Sequence, residues 1–275
     1  MGQISAADVS KLRKTTGAGM MDCKKALQEA DGDFDKAIEI IRKKGQAVAN
    51  KRADREATEG VVLASTNADN TRGALIVLNC ETDFVAKNES FVGFAQDILD
   101  KALAGNPADL EALKGLDFDG KTIGDKVVEQ VGIVGEKIEL SAYEKVDAAD
   151  VVAYIHPGNK LATLVGLNKK LDDDQAGKDV AMQVAAMNPV AIDRDDVPAE
   201  VVEKEKEIGR EQARQEGKPE NILDKIAEGK LNKFFKDSTL LNQDFIKESK
   251  QTVKQYLQSI DKDLTVTAFR RESLT

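Results

Sequence analysis

One arrangement of elements is written twice along most of this chain, and it constrains the fold more than any other feature. Residues 59–66 (EGVVLAST) and 149–156 (ADVVAYIH) are short, rich in β-branched residues and bounded by polar turns, so each predicts a strand. Each runs into a turn, Asn67-Ala68-Asp69-Asn70 or Pro157-Gly158-Asn159, and then into a second strand, 73–79 (GALIVLN) or 162–168 (ATLVGLN). The paired strands lie about 90 residues apart. A helix follows in each half, near 89–103 and 176–187, then a second helix, about 122–132 and 249–259. A third strand closes each half, 136–144 (EKIELSAYE) or 264–271 (LTVTAFRR). Strand–strand–helix–helix–strand predicts an α+β fold, a duplicated core in which helices cover one face of a small antiparallel sheet.

Ahead of this core the first 45 residues read as three short helices. Ser5 with Asp8 three places on forms a capping-box pattern, and Val9 and Leu12 follow at helical spacing. Thr15-Thr16-Gly17-Ala18-Gly19 ends that helix. A second is expected from about Met21 to Ala30. Asp33 caps a third, with Phe34, Ala37, Ile38 and Ile41 on one face, Arg42, Lys43 and Lys44 in its last turn and Gly45 just beyond. Residues 46–57 are expected to be a linker.

The second half also holds an insertion, 190–237. Val201, Val202, Ile208 and Ala213 recur at near-heptad spacing, and Gly217-Lys218-Pro219 makes a turn. Leu223, Ala227, Leu231 and Phe234 then form a narrow stripe, which predicts an antiparallel coiled-coil hairpin. It either projects as an interaction arm or folds onto the core. The expected division is a helical N-terminal domain with its linker (1–55), a first core half (56–146), a second half in two parts (147–189 and 238–275), and the hairpin (190–237) between them.

Composition removes much chemistry. A single histidine, His156, excludes His₂ and His₃ metal sites; two distant cysteines, Cys23 and Cys80, exclude a cysteine-rich zinc site and a disulfide framework. No run approaches the ~20 apolar residues of a membrane helix, and no export signal opens the chain, so a reducing, cytoplasmic setting without a membrane partner is expected. Net charge is −9, yet residues 1–55 carry twelve Lys/Arg against eight Asp/Glu. A basic module on an acidic body suits an acidic protein, RNA, or merely a solvated helical surface.

Candidate sites are few. Gly115-Leu-Asp-Phe-Asp-Gly120-Lys121-Thr122 matches the phosphate-loop pattern GxxxxGK[ST]. The segment before it has helical spacing, and Asp117 and Asp119 would repel a polyphosphate, so a loop leading to a helix cap is expected and nucleotide binding is not. His156 precedes a Pro-Gly turn without a nucleophile motif. Asp172-Asp173-Asp174 lacks the spacing and glycine of a calcium loop.

Two segments carry more. Asn79-Cys80-Glu81-Thr82-Asp83-Phe84-Val85-Ala86-Lys87-Asn88 follows a strand and precedes a helix that Asn88 can cap, and binding residues concentrate on such loops. Phe84 either tucks into its own core or acts as a wedge for a partner's pocket, with Asp83 supplying charge beside it. Thr16-Gly17-Ala18-Gly19-Met20-Met21-Asp22-Cys23-Lys24-Lys25 presents adjacent methionines on a glycine-rich bend. Met20 is the better candidate for exposure, with Met21 and Leu27 facing inward; the alternative places both methionines in the small core.

These two segments, with Leu12-Arg13, Glu29-Ala30-Asp31-Gly32-Asp33, Gln183-Val-Ala-Ala-Met-Asn-Pro189, Val201-Val-Glu-Lys-Glu205 and Gly217-Lys-Pro219, occur in order over nearly the whole chain. The sequence resembles the bacterial translation elongation factor Ts family, guanine-nucleotide exchange factors for elongation factor Tu. The resemblance implies a ubiquitin-associated-like N-terminal domain, a two-halved core and a coiled-coil hairpin. It implies a protein that is not an enzyme, needs no cofactor or metal, and binds elongation factor Tu in GDP-bound and nucleotide-free forms. Carried over, the loop Thr82, Asp83, Phe84 and Val85 would intrude near the partner's magnesium site. Leu12, Arg13, Met20 and Met21 would grip a helix of its GTPase domain, and His156 would touch a further domain. Family members often continue past the last strand with a Gly-Glu-Gly stretch and a helical module; this chain ends at Arg270-Arg-Glu-Ser-Leu-Thr275, and the resemblance carries over no contact of that kind. The rival reading is an RNA-binding accessory module of the translation machinery, and self-association as a homodimer is left open.

Overall fold

A computed structural model describes residues 4–274. It is a mixed α+β protein, with N-terminal helices followed by small sheets and helices. Contacts divide it into two units: one runs to Leu63 and takes in Ile76–Glu144, the other holds Ala64–Leu75 and Lys145–Ser273.

The first unit opens with α1 (Ala6–Thr16), α2 (Met20–Glu29) and α3 (Phe34–Arg52). Ser5 and Asp8 close a reciprocal capping box, and Gly17 ends α1 in the left-handed conformation (φ 69°) that glycine adopts without steric cost. Val9, Leu12, Cys23, Ala26, Leu27 and Ala37 form the small core, with Phe34, Ile38 and Ile41 packed against it. The third helix departs from expectation. It does not stop at Gly45 but continues to Arg52, so most of the expected linker is helical. The reason is a helix crossing. Gly45 lies against Gly132 of α7 (Ile123–Val134), where a Cβ on Gly132 would sit 2.5 Å from the Gly45 Cα. Glycine serves close backbone approach there, not helix termination. Arg42 pairs with Glu129 at 3.8 Å beside the crossing.

After α3 come β1 (Glu59–Thr66), β2 (Arg72–Cys80), α4 (Asp83–Ala86), α5 (Glu89–Gly105), α6 (Leu110–Lys114), α7 and β3 (Ile138–Asp147). The strands form a sheet of order β1-β2-β3. Phe91, Phe94, Ala95, Ile98, Leu99 and Ala102 are the buried side of α5. The phosphate-loop string lies between helices α6 and α7, without the preceding strand such a loop needs. Asp119 (φ 54°) and Gly120 (φ 78°) make a tight turn, Phe118 is buried with its ring stacked 5.9 Å from Phe94, and Thr122 caps α7.

In the second unit β4 (Asp150–Ile155), β5 (Leu161–Leu167) and β8 (Val266–Ser273) form a sheet of order β4-β5-β8, antiparallel throughout. Val180 and Val184 of α8 (Gln175–Met187) and Val253 and Leu257 of α11 (Val253–Ile260) pack with Val165, Leu167 and Val266. Between them stand α9 (Ala199–Gln215) and α10 (Leu223–Ser238). Leu223, Ala227 and Leu231 are buried as the stripe predicts, but Ile208 is exposed and Gly209 takes its place in the seam. A Cβ on Gly209 would come 3.1 Å from the Ala227 Cα, so the helices approach too closely there for a large side chain. Arg210–Asp224 (2.7 Å) and Arg214–Glu220 (2.9 Å) tie the pair at its edges. Residues 249–252, the start of the helix expected at about 249–259, instead belong to β7 (Glu248–Thr252), paired with β6 (Asp244–Phe245). Thr252 then caps α11.

Candidate partner-binding site

The segment after β2 is built from its anchors outward. β2 is buried along most of its length and ends in the buried Cys80, whose thiol donates to the Thr82 carbonyl at 3.2 Å. Burial pushes that thiol up to about 12, and the charge of Glu136 adds to the effect, so Cys80 is inert as a nucleophile at neutral pH. Glu81 accepts from Arg52 (2.6 Å), Arg55 (3.2 Å) and the Lys137 N–H (2.6 Å). The Lys137 N–H, followed by the two guanidinium groups, holds the Glu81 carboxyl below its ordinary range. Glu136 accepts the Thr82 N–H at 3.0 Å and the Thr82 hydroxyl at 2.8 Å.

The expected loop is in fact a turn of helix. Thr82 is extended (φ −123°, ψ 152°) and caps α4, while Ala86 tucks inward. Asp83 pairs with Lys87 at 2.6 Å, one helical turn on. Phe84, 84% exposed, points into solvent. Thr82, Asp83 and Val85 are half-buried around it. A fully buried phenylalanine is worth ~1.5–3 kcal/mol, which this ring forgoes within its own chain.

The second candidate group lies on the N-terminal helices. Met20 is 56% and Met21 62% exposed, so the expectation that Met21 faces inward fails, while Leu27 is buried. α2 begins at Met20 behind Gly19, and its buried positions Cys23, Ala26 and Leu27 leave both methionines on the open side. Arg13 is exposed in the last turn of α1. Leu12 is 0% exposed, at the centre of the small core, where it supports Arg13 rather than presenting a surface of its own.

His156, in the second unit, is exposed after β4. Its N–H donates to the Leu161 carbonyl at 2.9 Å, and its Nδ1 lies 2.9 Å from the Tyr154 hydroxyl. The structure thus gathers Thr82–Val85 on one turn, and Arg13, Met20 and Met21 on adjoining helices around Leu12.

Glu136, and the ties of Arg52 and Arg55 to Glu81, escape a reading of the sequence. Nothing within a few residues marks Glu136 as the partner of Thr82, since the two are 54 positions apart. Arg52 and Arg55 lie in a stretch that reads as linker. Among the described residues no group of three His, Cys, Asp or Glu side chains could hold a metal, and no helix is long and apolar enough to cross a membrane.

Comparison with known proteins bears on the whole chain. Residues 81–274 match the family described as Elongation factor TS. The chain is 54% identical to Elongation factor Ts of Christiangramia forsetii over 275 residues, all of both chains. It is 54% identical to that of Flavobacterium psychrophilum over the same span. To that of Amoebophilus asiaticus it is 57% identical over 270 residues, 98% of each. With a match through most of its length and identities above one half, the chain belongs to the elongation factor Ts family, the nucleotide exchange factors for elongation factor Tu, and is an exchange factor, not a catalytic enzyme.

Proposed function

We propose that the turn Thr82–Val85 drives release of GDP by entering the partner beside its magnesium and phosphate site. Phe84 spreads two elements of the GTPase while Asp83 brings negative charge towards the metal. The single observation behind this reading is the exposure of Phe84 on a turn whose neighbours are tied down by carboxylates. No bond chemistry is needed. A factor that binds the nucleotide-free GTPase more tightly than the GDP-bound form weakens GDP by the same ratio. Each ~1.4 kcal/mol of differential binding is tenfold, so burying one phenylalanine only in the opened partner supplies about one to two decades. Disturbing the magnesium, whose charge offsets that of the phosphates, supplies more.

In the same reading Arg13, Met20 and Met21, backed by Leu12, grip a helix of the GTPase domain, and His156 meets a further domain. The ubiquitin-associated-like segment 1–55, the core halves 56–146 and 147–189 with 238–275, and the coiled-coil hairpin 190–237 are its working parts. The protein acts in the cytoplasm, a setting consistent with two free, buried cysteines.

Stopped-flow release of a fluorescent GDP analogue from elongation factor Tu tests the reading. Phe84→Ala should slow factor-stimulated release; unchanged kinetics would refute the wedge. A steep loss of activity with salt would favour a polyelectrolyte partner over apolar burial.

A further inference from the structure

A four-residue helix has no cooperative stability of its own, so something outside α4 must hold it. Its own cap is weak: the Thr82 hydroxyl is 3.5 Å from the Val85 N–H, at the long limit of a hydrogen bond. The external hold is Glu136. One carboxylate oxygen takes the Thr82 N–H at 3.0 Å, the other the Thr82 hydroxyl at 2.8 Å. A two-point, charge-assisted clamp on the backbone and side chain of one residue fixes its position and its rotamer together. Thr82 is the cap, so its setting determines the direction in which Phe84 leaves the helix. Glu136 is itself placed firmly, between Gly135, which closes α7 at φ 78°, and the start of β3. Among the described residues it makes no ion pair, so both of its oxygens serve Thr82.

We propose that Glu136 is a positioning residue for nucleotide exchange, holding Thr82 so that Phe84 stands outward in the orientation that enters the partner. The proposal rests on the wedge reading of Phe84, and the experiment separates the two. Release of the fluorescent GDP analogue is followed at saturating factor for the parent, Glu136→Ala, Phe84→Ala and the double variant, with affinity for nucleotide-free elongation factor Tu measured by calorimetry.

Glu136→Ala should lower the maximal release rate about tenfold, within the one to two decades that the ring itself supplies, while affinity falls much less. Glu136→Gln, of nearly the same volume and keeping one acceptor, should restore most of the rate. In the Phe84→Ala background, Glu136→Ala should have no further effect, because it acts only through the ring. Equal slowing in both backgrounds would mean a general structural role and overturn the proposal. So would parent-like release by Glu136→Ala beside slow release by Phe84→Ala, which leaves the wedge standing. Parent-like release by Phe84→Ala would sink both. If Glu136→Ala melts below the assay temperature, Thr82→Val, which removes only the hydroxyl, gives the same test of non-additivity with Phe84→Ala.

Discussion

The connectors that leave β2 and β5 each follow the central strand of a three-stranded sheet, and they treat their apolar residue in opposite ways. After β2, Phe84 stands in solvent. After β5, Leu171 packs against the core of the second unit. Both connectors are held by carboxylates, so anchoring alone does not decide the outcome. Glu136 takes the Thr82 N–H and hydroxyl two residues before the ring, and a helical turn then carries Phe84 outward. Asp150, itself buried, takes the N–H of Leu171 at 3.3 Å and draws that residue inward. Asn168 is bonded to Thr265 and to the Asp263 carbonyl, and Lys169 to Asp261, which closes the second connector down. What separates the outward residue from the inward one here is where along the connector the carboxylate takes a backbone N–H, two residues before Phe84 or at Leu171 itself, not the hydrophobicity of the segment.

The contrast can be broken by substitution. Phe84→Ala should show the largest effect, slowing GDP release by about one to two decades, while Tm stays within about 2 °C, since an exposed ring contributes little to folding. A large fall in Tm would mean that Phe84 belongs to its own core in solution. Next, replacing Met20 and Met21 together by Ala should weaken calorimetric affinity for elongation factor Tu by about tenfold with folding intact, as expected for apolar groups buried only in the complex. Unaltered affinity would remove these methionines from the interface.

Leu171→Ala should do the reverse of Phe84→Ala. It should cost about 1 kcal/mol of stability in urea melts, below the range for fully buried leucines, and leave exchange unchanged. Slower exchange by the folded variant would erase the distinction between the connectors.

The smallest effect belongs to Asp150→Asn. Burial raises the Asp150 carboxyl above its ordinary range; the Leu171 N–H opposes the shift and the charge of Asp174 adds to it. The folded state therefore holds this proton more tightly than the unfolded chain. Its contribution to stability is present below the unfolded carboxylate range and is lost as pH rises through the raised folded value. Asn should accordingly gain on the parent at pH 7 and lose that gain in acid. A stability difference independent of pH would show that the carboxyl titrates normally.

The amino-acid sequence by itself determined the local elements. β1 spans Glu59–Thr66 as its β-branched residues and bounding turn predict, the Ser5–Asp8 capping box forms, and α8 covers Gln175–Met187. Strand patterns and caps depend on residues within about four positions of one another, so they survive being read in isolation. The matching strings also marked the segments around Met20 and Phe84. Tertiary structure decided what those segments do with their side chains. Gly45 reads as a helix stop until Gly132 lies across it, Ile208 as a seam residue until Gly209 meets Ala227, and 249–252 as helix until β6 pairs with its strand. Phe84 could have faced either way. The groups that tie down the residues before it are Glu136, 54 positions from Thr82, and Arg52 and Arg55, which hold Glu81, and only the folded chain brings them to one place. Local preference is a short-range property of the backbone, whereas exposure depends on long-range partners whose spacing no periodicity records.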